Sequence, residues 1–218
     1  MKKERVRMLV ESAMLMTLGI ALEFGSKLFI PEMPFGGQLT IASMLPLVLI
    51  SYRFGVRWGL FCGFTYSLLQ MALGAKTLVA AFQPGYFGDE AMLFRAVIMI
   101  ILDYVLAYTL LGLGGCFREK IKNASVSLMI GGIFALLCRY LAHILSGYIL
   151  FSGWAEWFFT QEGFPVWGTM LVDRLGPKML GFVYSVVYNG MFMIPEILIT
   201  AVVAVLVARV PKIVAKTN

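Results

Sequence analysis

Residues 92–115, MLFRAVIMIILDYVLAYTLLGLGG, constrain this chain more than any other stretch. They are apolar over the roughly 20 residues that a helix needs to cross a bilayer, yet a carboxylate, Asp103, sits near the middle. A charge at that depth costs at least ~2.5 kcal/mol on insertion scales, so it faces a polar cavity or a partner instead of lipid. Tyr104 follows it directly, and Tyr108 stands one helical turn further on. A carboxylate beside aromatic rings suits an organic cation. An ion pair that packs two helices is the plainer use of the same residues.

Composition extends this reading to the whole chain. Of 218 residues 60% are hydrophobic and 14% charged, well below the ~25% charged residues of soluble domains. Apolar runs of spanning length alternate with short polar pieces, which predicts an all-α membrane protein with residues 1–218 as a single integral membrane domain. The net charge of +6 does not call for nucleic acid, because Lys and Arg gather in the cytosolic loops of membrane proteins. Cys62, Cys116 and Cys138 are scattered, with neither a CxxC pair nor metal-like spacing, and read as packing residues.

Six membrane-spanning helices are expected, over residues 8–30, 39–52, 56–74, 92–115, 124–151 and 179–208. MKKERVR reads as the cytosolic flank of a retained first helix, not as a signal peptide. In that helix Ala13, Thr17 and Ala21 form a small-xxx-small strip, open to close packing within the protein or against a partner. Glu23 and Lys27 have the spacing of an ion pair one turn apart. PEMPFGGQ is a turn-rich connection, and the second helix is expected to contain Pro46, as membrane helices tolerate. Gly55, Gly59 and Gly63 give the third helix a face for close helix contact. Residues 75–91 read as a looser segment. The fifth helix carries Arg139 and the only histidine, His143, four residues apart on one face. The connection 152–178, with Trp154, Trp157, Phe158, Phe159 and Trp167, reads as a partly helical interfacial segment and as a lid.

With six spans both termini share a side. Lys2, Lys3, Arg5, Arg7, Arg53, Arg57, Arg118, Lys120, Lys122, Arg209, Lys212 and Lys216 lie there. The opposite loops hold Lys76, Arg174 and Lys178 against Glu32, Asp89, Glu90, Glu156, Glu162 and Asp173. That bias makes both termini cytosolic. At ~1.5 Å per residue, Asp103 then lies roughly 15 Å below the outer end of its helix. His143, Tyr184, Asn189 and Tyr66 fall in the same outer half of three other helices. Residues used only for packing would have no reason to share a depth, so the convergence implies a pocket open to the outside. Since i and i+4 share a helix face, one of Tyr184 and Tyr188 is left as a possible interfacial tyrosine.

The order GGQLTIASMLPLVLISYRFGVRWGL, LDYVLAY, RYLAHILSGYILF, PVWG and YSVVYNGMFMIPE resembles the thiamine-binding S components of energy-coupling factor (ECF) transporters, over nearly the whole chain. The resemblance implies a six-helix fold in the cell membrane that holds thiamine in an outward-facing pocket. It also implies assembly with a transmembrane T subunit and two cytosolic ATPases. By position, Asp103, Tyr104, His143, Tyr184 and Asn189 look like the family's polar contacts, while Phe151 and Tyr66 fall where some members have tryptophans. Gly37 lies where one type of member sets a tryptophan against the thiazolium, so Trp154 or Trp157 is expected to reach over instead. Ala13 and Thr17 fall on the family's Ala-xxx-Ala docking strip for the T subunit.

The chain has no G-x-x-x-x-G-K-[ST] loop, so it does not hydrolyse ATP itself, and no cofactor is implied. An intramembrane protease is disfavoured by the lack of G-x-S-x-G, GxSG and paired-Glu motifs. The same scaffold binding another vitamin, or the thiamine precursor hydroxymethylpyrimidine, is the nearer alternative.

Overall fold

The computed structural model describes residues 2–33, 37–87 and 92–215. Residues 34–36 of the turn-rich connection lie outside that set, as do Asp89, Glu90 and Lys216 of the charge asymmetry. Every regular element among the described residues is helical. The chain runs through α1 (Lys2–Lys27), α2 (Leu45–Phe54), α3 (Val56–Leu73), α4 (Ala75–Ala81), α5 (Met92–Met99), α6 (Ala107–Thr109), α7 (Ala124–Phe151), α8 (Ala155–Phe159), α9 (Trp167–Arg174) and α10 (Pro177–Val207). Among the described residues four stretches are long and apolar enough to cross a membrane: Lys3–Lys27, Leu93–Gly115, Ala124–Phe159 and Pro177–Val207.

Local chemistry explains several boundaries. Asn123 caps α7, its side-chain oxygen accepting from the Val126 N–H at 3.1 Å. Gly55 turns α2 into α3 at φ +95°, a backbone region that side chains rarely enter. The second helix starts six residues later than expected. Pro46 sits in its first turn, where no hydrogen bond is lost. The preceding residues leave the helical path, with Ala42 at φ 55°. The segment expected to be loose contains the short helix α4, and the connection 152–178 contains α8 and α9.

The centre of the molecule is α7 against α10, the most extensive of the helix contacts. The stretch from α5 to Gly115 packs across α7, α2 and α3. It is not a uniform α-helix: residues Ile100–Leu106 form a π-helix and Leu110–Gly115 a 3₁₀ turn. The glycine face of α3 meets this stretch. A Cβ on Gly63 would strike the Tyr108 carbonyl at 2.6 Å, and one on Gly112 would strike the backbone of Gly59 and Leu60. By contrast α1 is peripheral, contacting mainly α2, with only 11% of its apolar window buried.

The glycine contacts make a direct prediction. Gly112→Ala forces two backbones apart and should destabilise the protein by ~1–3 kcal/mol. Gly153→Ala, whose added carbon meets nothing within 4 Å, should leave stability unchanged. Thermal unfolding of the detergent-purified proteins measures both; equal midpoints for the two variants would refute the close packing.

Candidate functional site

The π-helix decides which side chains meet. Met99, Asp103, Tyr104 and Tyr108 all line one cavity. At about 3.6 residues per turn, Met99 and Tyr108 would sit half a turn out of phase on an α-helix. Hydrogen bonds from i to i+5 widen the turn, so residues four and five apart fall on one side. The cavity has a volume of 210 Å³, enough for a small molecule.

Asp103 is the best-held group in it. Its Oδ1 lies 2.8 Å from His143 Nδ1, and its Oδ2 accepts from Ser146 Oγ at 2.5 Å. Arg139 Nε lies 3.2 Å from His143 Nε2. A guanidinium nitrogen only donates, so Nε2 is the acceptor and the imidazole hydrogen sits on Nδ1, facing the carboxylate. Arg139 is placed in turn over the ring of Tyr108, 4.5 Å from its centroid, a cation–π geometry. Three of these groups come from α7 at positions 139, 143 and 146, which share one helix face.

The opposite wall belongs to α10. Tyr184, Tyr188, Asn189 and Phe192 line the cavity. Asn189 Nδ2 donates to the Ser185 carbonyl at 2.9 Å and to the His143 carbonyl at 3.2 Å, tying α10 to α7. That approach needs Gly147, because a Cβ there would overlap Ser185 Oγ. Phe151 lines the cavity as well, in ring contact with Phe87 at 5.4 Å and Tyr86 at 6.1 Å between centroids. Glu23, Lys27 and Gln70 also line the cavity. Lys27 Nζ pairs with Glu23 at 3.2 Å, as the spacing implied, and Gln70 Nε2 donates to the same carboxylate. Among the described residues the cavity's charged groups are three carboxylates (Glu23, Glu32, Asp103) and two cations (Lys27, Arg139), leaving one net negative charge.

Six of the seven side chains singled out from the sequence therefore line one space: Asp103, Tyr104, His143, Phe151, Tyr184 and Asn189. Tyr66 does not. It is 0% exposed and sits behind Tyr108 at 5.4 Å between centroids, its hydroxyl turned toward Gly19 of α1. The cavity face of α3 begins one turn later, at Gln70. Neither tyrosine of α10 is interfacial: Tyr184 and Tyr188 are both buried and both line the cavity.

Two expectations about tryptophan also need correction. Trp154 and Trp157 pack edge-on against each other, 5.9 Å between ring centroids, and are not among the cavity's lining residues. The space beside Gly37 is filled by Tyr188 and Phe192, which a Cβ there would meet at 3.0 and 2.9 Å. No residue of the connection 152–178, expected as a lid, lines the cavity. Phe158 makes edge contacts with Tyr184 and Tyr188, at 5.2 and 5.9 Å between ring centroids, so the segment packs against two residues of the cavity wall.

Sequence reasoning passed over Arg139, Ser146 and Tyr188 as cavity groups. The i, i+4 spacing from His143 marked Arg139 as its neighbour, but nothing in the residue pattern marks Ser146. Ala13, Thr17 and Ala21, the small strip of α1, are exposed, and Thr17 Oγ1 donates back to the Ala13 carbonyl at 2.9 Å. Within the described structure the strip is not used for packing.

This arrangement can be set beside known proteins. A solved structure of ThiT from Listeria monocytogenes superposes with a TM-score of 0.62 over 97% of this chain and 99% of that one, at 18% identity, a likeness of fold. The thiamine transporter ThiT of Bacillus subtilis (strain 168) is 31% identical over 210 residues, spanning 92% of this chain and 89% of the relative. Residues 9–168 match the family described as thiamine transporter protein (Thia_YuaJ), and the chain belongs to that family.

Proposed function

We propose that this chain binds thiamine from outside the cell and serves as the S component of an ECF-type transporter. The observation that carries the reading is the Asp103 carboxylate, fixed by His143 and Ser146 in a ring-lined cavity with one net negative charge. Thiamine is a flat, hydrogen-bonding molecule with one permanent positive charge. A pre-formed acceptor beside aromatic rings satisfies both properties. Asp103 and Asn189 meet the aminopyrimidine and thiazolium, and Tyr104, Phe151, Tyr184 and Tyr188 supply ring faces. The chemistry is recognition alone, in keeping with a family of transporters.

The finer topology belongs to the same proposal. Counting the stretch through α2, together with α3, as two further spans gives six crossings, with both termini cytosolic and the protein in the plasma membrane. Energy comes from partners, a transmembrane T subunit and two ATPases, because the chain has no nucleotide-binding loop. The exposed Ala13, Thr17 and Ala21 strip supports α1 as the docking helix, since small residues let another helix approach closely.

Two experiments test this. Asp103→Ala should weaken thiamine binding at least about 30-fold, because it removes a partly buried charged partner. Titration of purified protein, followed by tryptophan fluorescence, reads the change, and an unaltered affinity would remove Asp103 from the site. Hydroxymethylpyrimidine should compete only weakly; competition as strong as thiamine's own would favour the precursor as substrate. Separately, Thr17→Leu should abolish co-purification with the T subunit and leave thiamine affinity unchanged. If that variant still assembles, docking lies elsewhere.

A further inference from the structure

A buried carboxylate lies outside the cavity and is absent from the site described so far. Glu196 is 3% exposed in α10, one turn beyond Phe192 and directly after Pro195. An ionisable group in a membrane-spanning segment is costly, and its partners show what it serves. Here both partners are on one residue. Oε2 accepts from the Thr40 backbone N–H at 2.8 Å and from Thr40 Oγ1 at 2.6 Å. Because Thr40 Oγ1 donates to the carboxylate, its 2.5 Å contact with Ser43 Oγ has the serine as donor.

Thr40 belongs to the non-helical run that precedes α2, where the backbone departs from the helical path at Ala42. This run forms part of the cavity wall: Gly37, Gln38, Thr40 and Met44 all line it. A stretch of backbone outside any helix must find other partners for its N–H groups. The wall finds three. Gly37 N–H reaches the Tyr188 hydroxyl at 3.4 Å, Ile41 N–H reaches Ser26 Oγ at 2.8 Å, and Thr40 N–H reaches Glu196. Of these the Glu196 contact is the one that gathers two donors, the Thr40 N–H and hydroxyl, on a single oxygen.

We propose that Glu196 is a positioning residue of the ligand site, acting through Thr40. Its carboxylate clamps the non-helical wall against α10 and thereby sets how long the cavity holds its ligand. Glu196 does not line the cavity, so its effect on binding passes through the backbone of residues 37–44. A carboxylate suits the task because it only accepts, and so matches the paired donors of a single threonine. This inference rests on the thiamine reading only for the ligand used to detect it; the clamp itself exists without ligand.

Hydrogen exchange and ligand dissociation, measured on the full-length purified protein, test the clamp. In ligand-free Glu196→Ala, the amides of residues 38–44 should exchange about tenfold faster, while those in the rest of α10 keep their protection, as expected for loss of a buried hydrogen-bond acceptor. Thiamine dissociation should speed up by a similar factor. Glu196→Gln keeps one acceptor for Thr40 and should restore both readouts to within about threefold of the original protein. Thr40→Val keeps the N–H and loses the hydroxyl, and should fall between the two; it also serves if Glu196→Ala does not fold. Unchanged exchange over residues 38–44 in Glu196→Ala or Thr40→Val overturns the proposal. So does faster dissociation without faster exchange there, which would mean that Glu196 acts by another route. Failure of the unsubstituted protein to bind thiamine would instead count against the ligand assignment, and the exchange result would still decide the clamp.

Discussion

The site depends on holding a carboxylate in place inside an apolar helix bundle. Asp103 alone would be too costly there, and a protonated acid would lose its attraction for a cation. The fold answers with two donors and a cation one step removed. His143 and Ser146 each take one carboxylate oxygen, and Arg139 sits behind the imidazole. The arginine does more than add charge. By donating to Nε2 it makes Nδ1 the hydrogen-bearing nitrogen, so the ring is oriented to serve the acid. Its own charge rests on the face of Tyr108. A chain of four side chains thus turns a liability into a fixed negative pole, and three of the four lie on one helix.

Aligning that pole with the rings required a departure from regular geometry. An α-helix through Asp103 would have turned either Met99 or Tyr108 away from the cavity; the π-helical turn over Ile100–Leu106 brings both round. Such turns are rare because their hydrogen bonds are poorer, and they gather at functional sites. Close contacts on the other side hold this one in place. The backbone of Tyr108 and Thr109 presses on Gly63, and Gly112 presses on Gly59 and Leu60. The glycine face of α3 therefore fixes the axial position of the stretch that carries Asp103.

What the residue pattern made legible follows from these constraints. Long helices with strong caps were readable: α7 begins after Asn123 and ends at Phe151, as its apolar run implied. Intramembrane polar residues were readable too, because lipid leaves them few places to go. Asp103 and His143, far apart in sequence, lie within hydrogen-bond reach. Aromatic residues were harder to place. Tyr66 has the depth of the site and the wrong helix face, and periodicity alone does not say where a cavity stops along α3. Trp154 and Trp157 were misplaced for a related reason, since their rings are used by the outer segment for its own packing. The late start of α2 was hidden because Thr40 satisfies its N–H on a glutamate 156 residues away. No local signal reports such a partner.

The same bonds suggest how binding and assembly are kept apart. The α1 helix is attached to the body by discrete polar contacts more than by buried surface: Glu11 with Arg53 at 2.6 Å, Ser12 with Trp58 at 2.9 Å, Glu23 with Gln70, and Ser26 with Ile41. These residues occupy one side of the helix, and the exposed Ala13, Thr17 and Ala21 lie off that line. Hydrogen bonds hold a helix in register without covering its outer surface, whereas an apolar interface of equal strength would have covered it. A helix held in this way keeps its small-residue strip open to another membrane helix and still contributes Glu23 and Lys27 to the cavity lining. On the function proposed here, one peripheral helix can face both substrate and transporter because polar contacts, not burial, keep it in place.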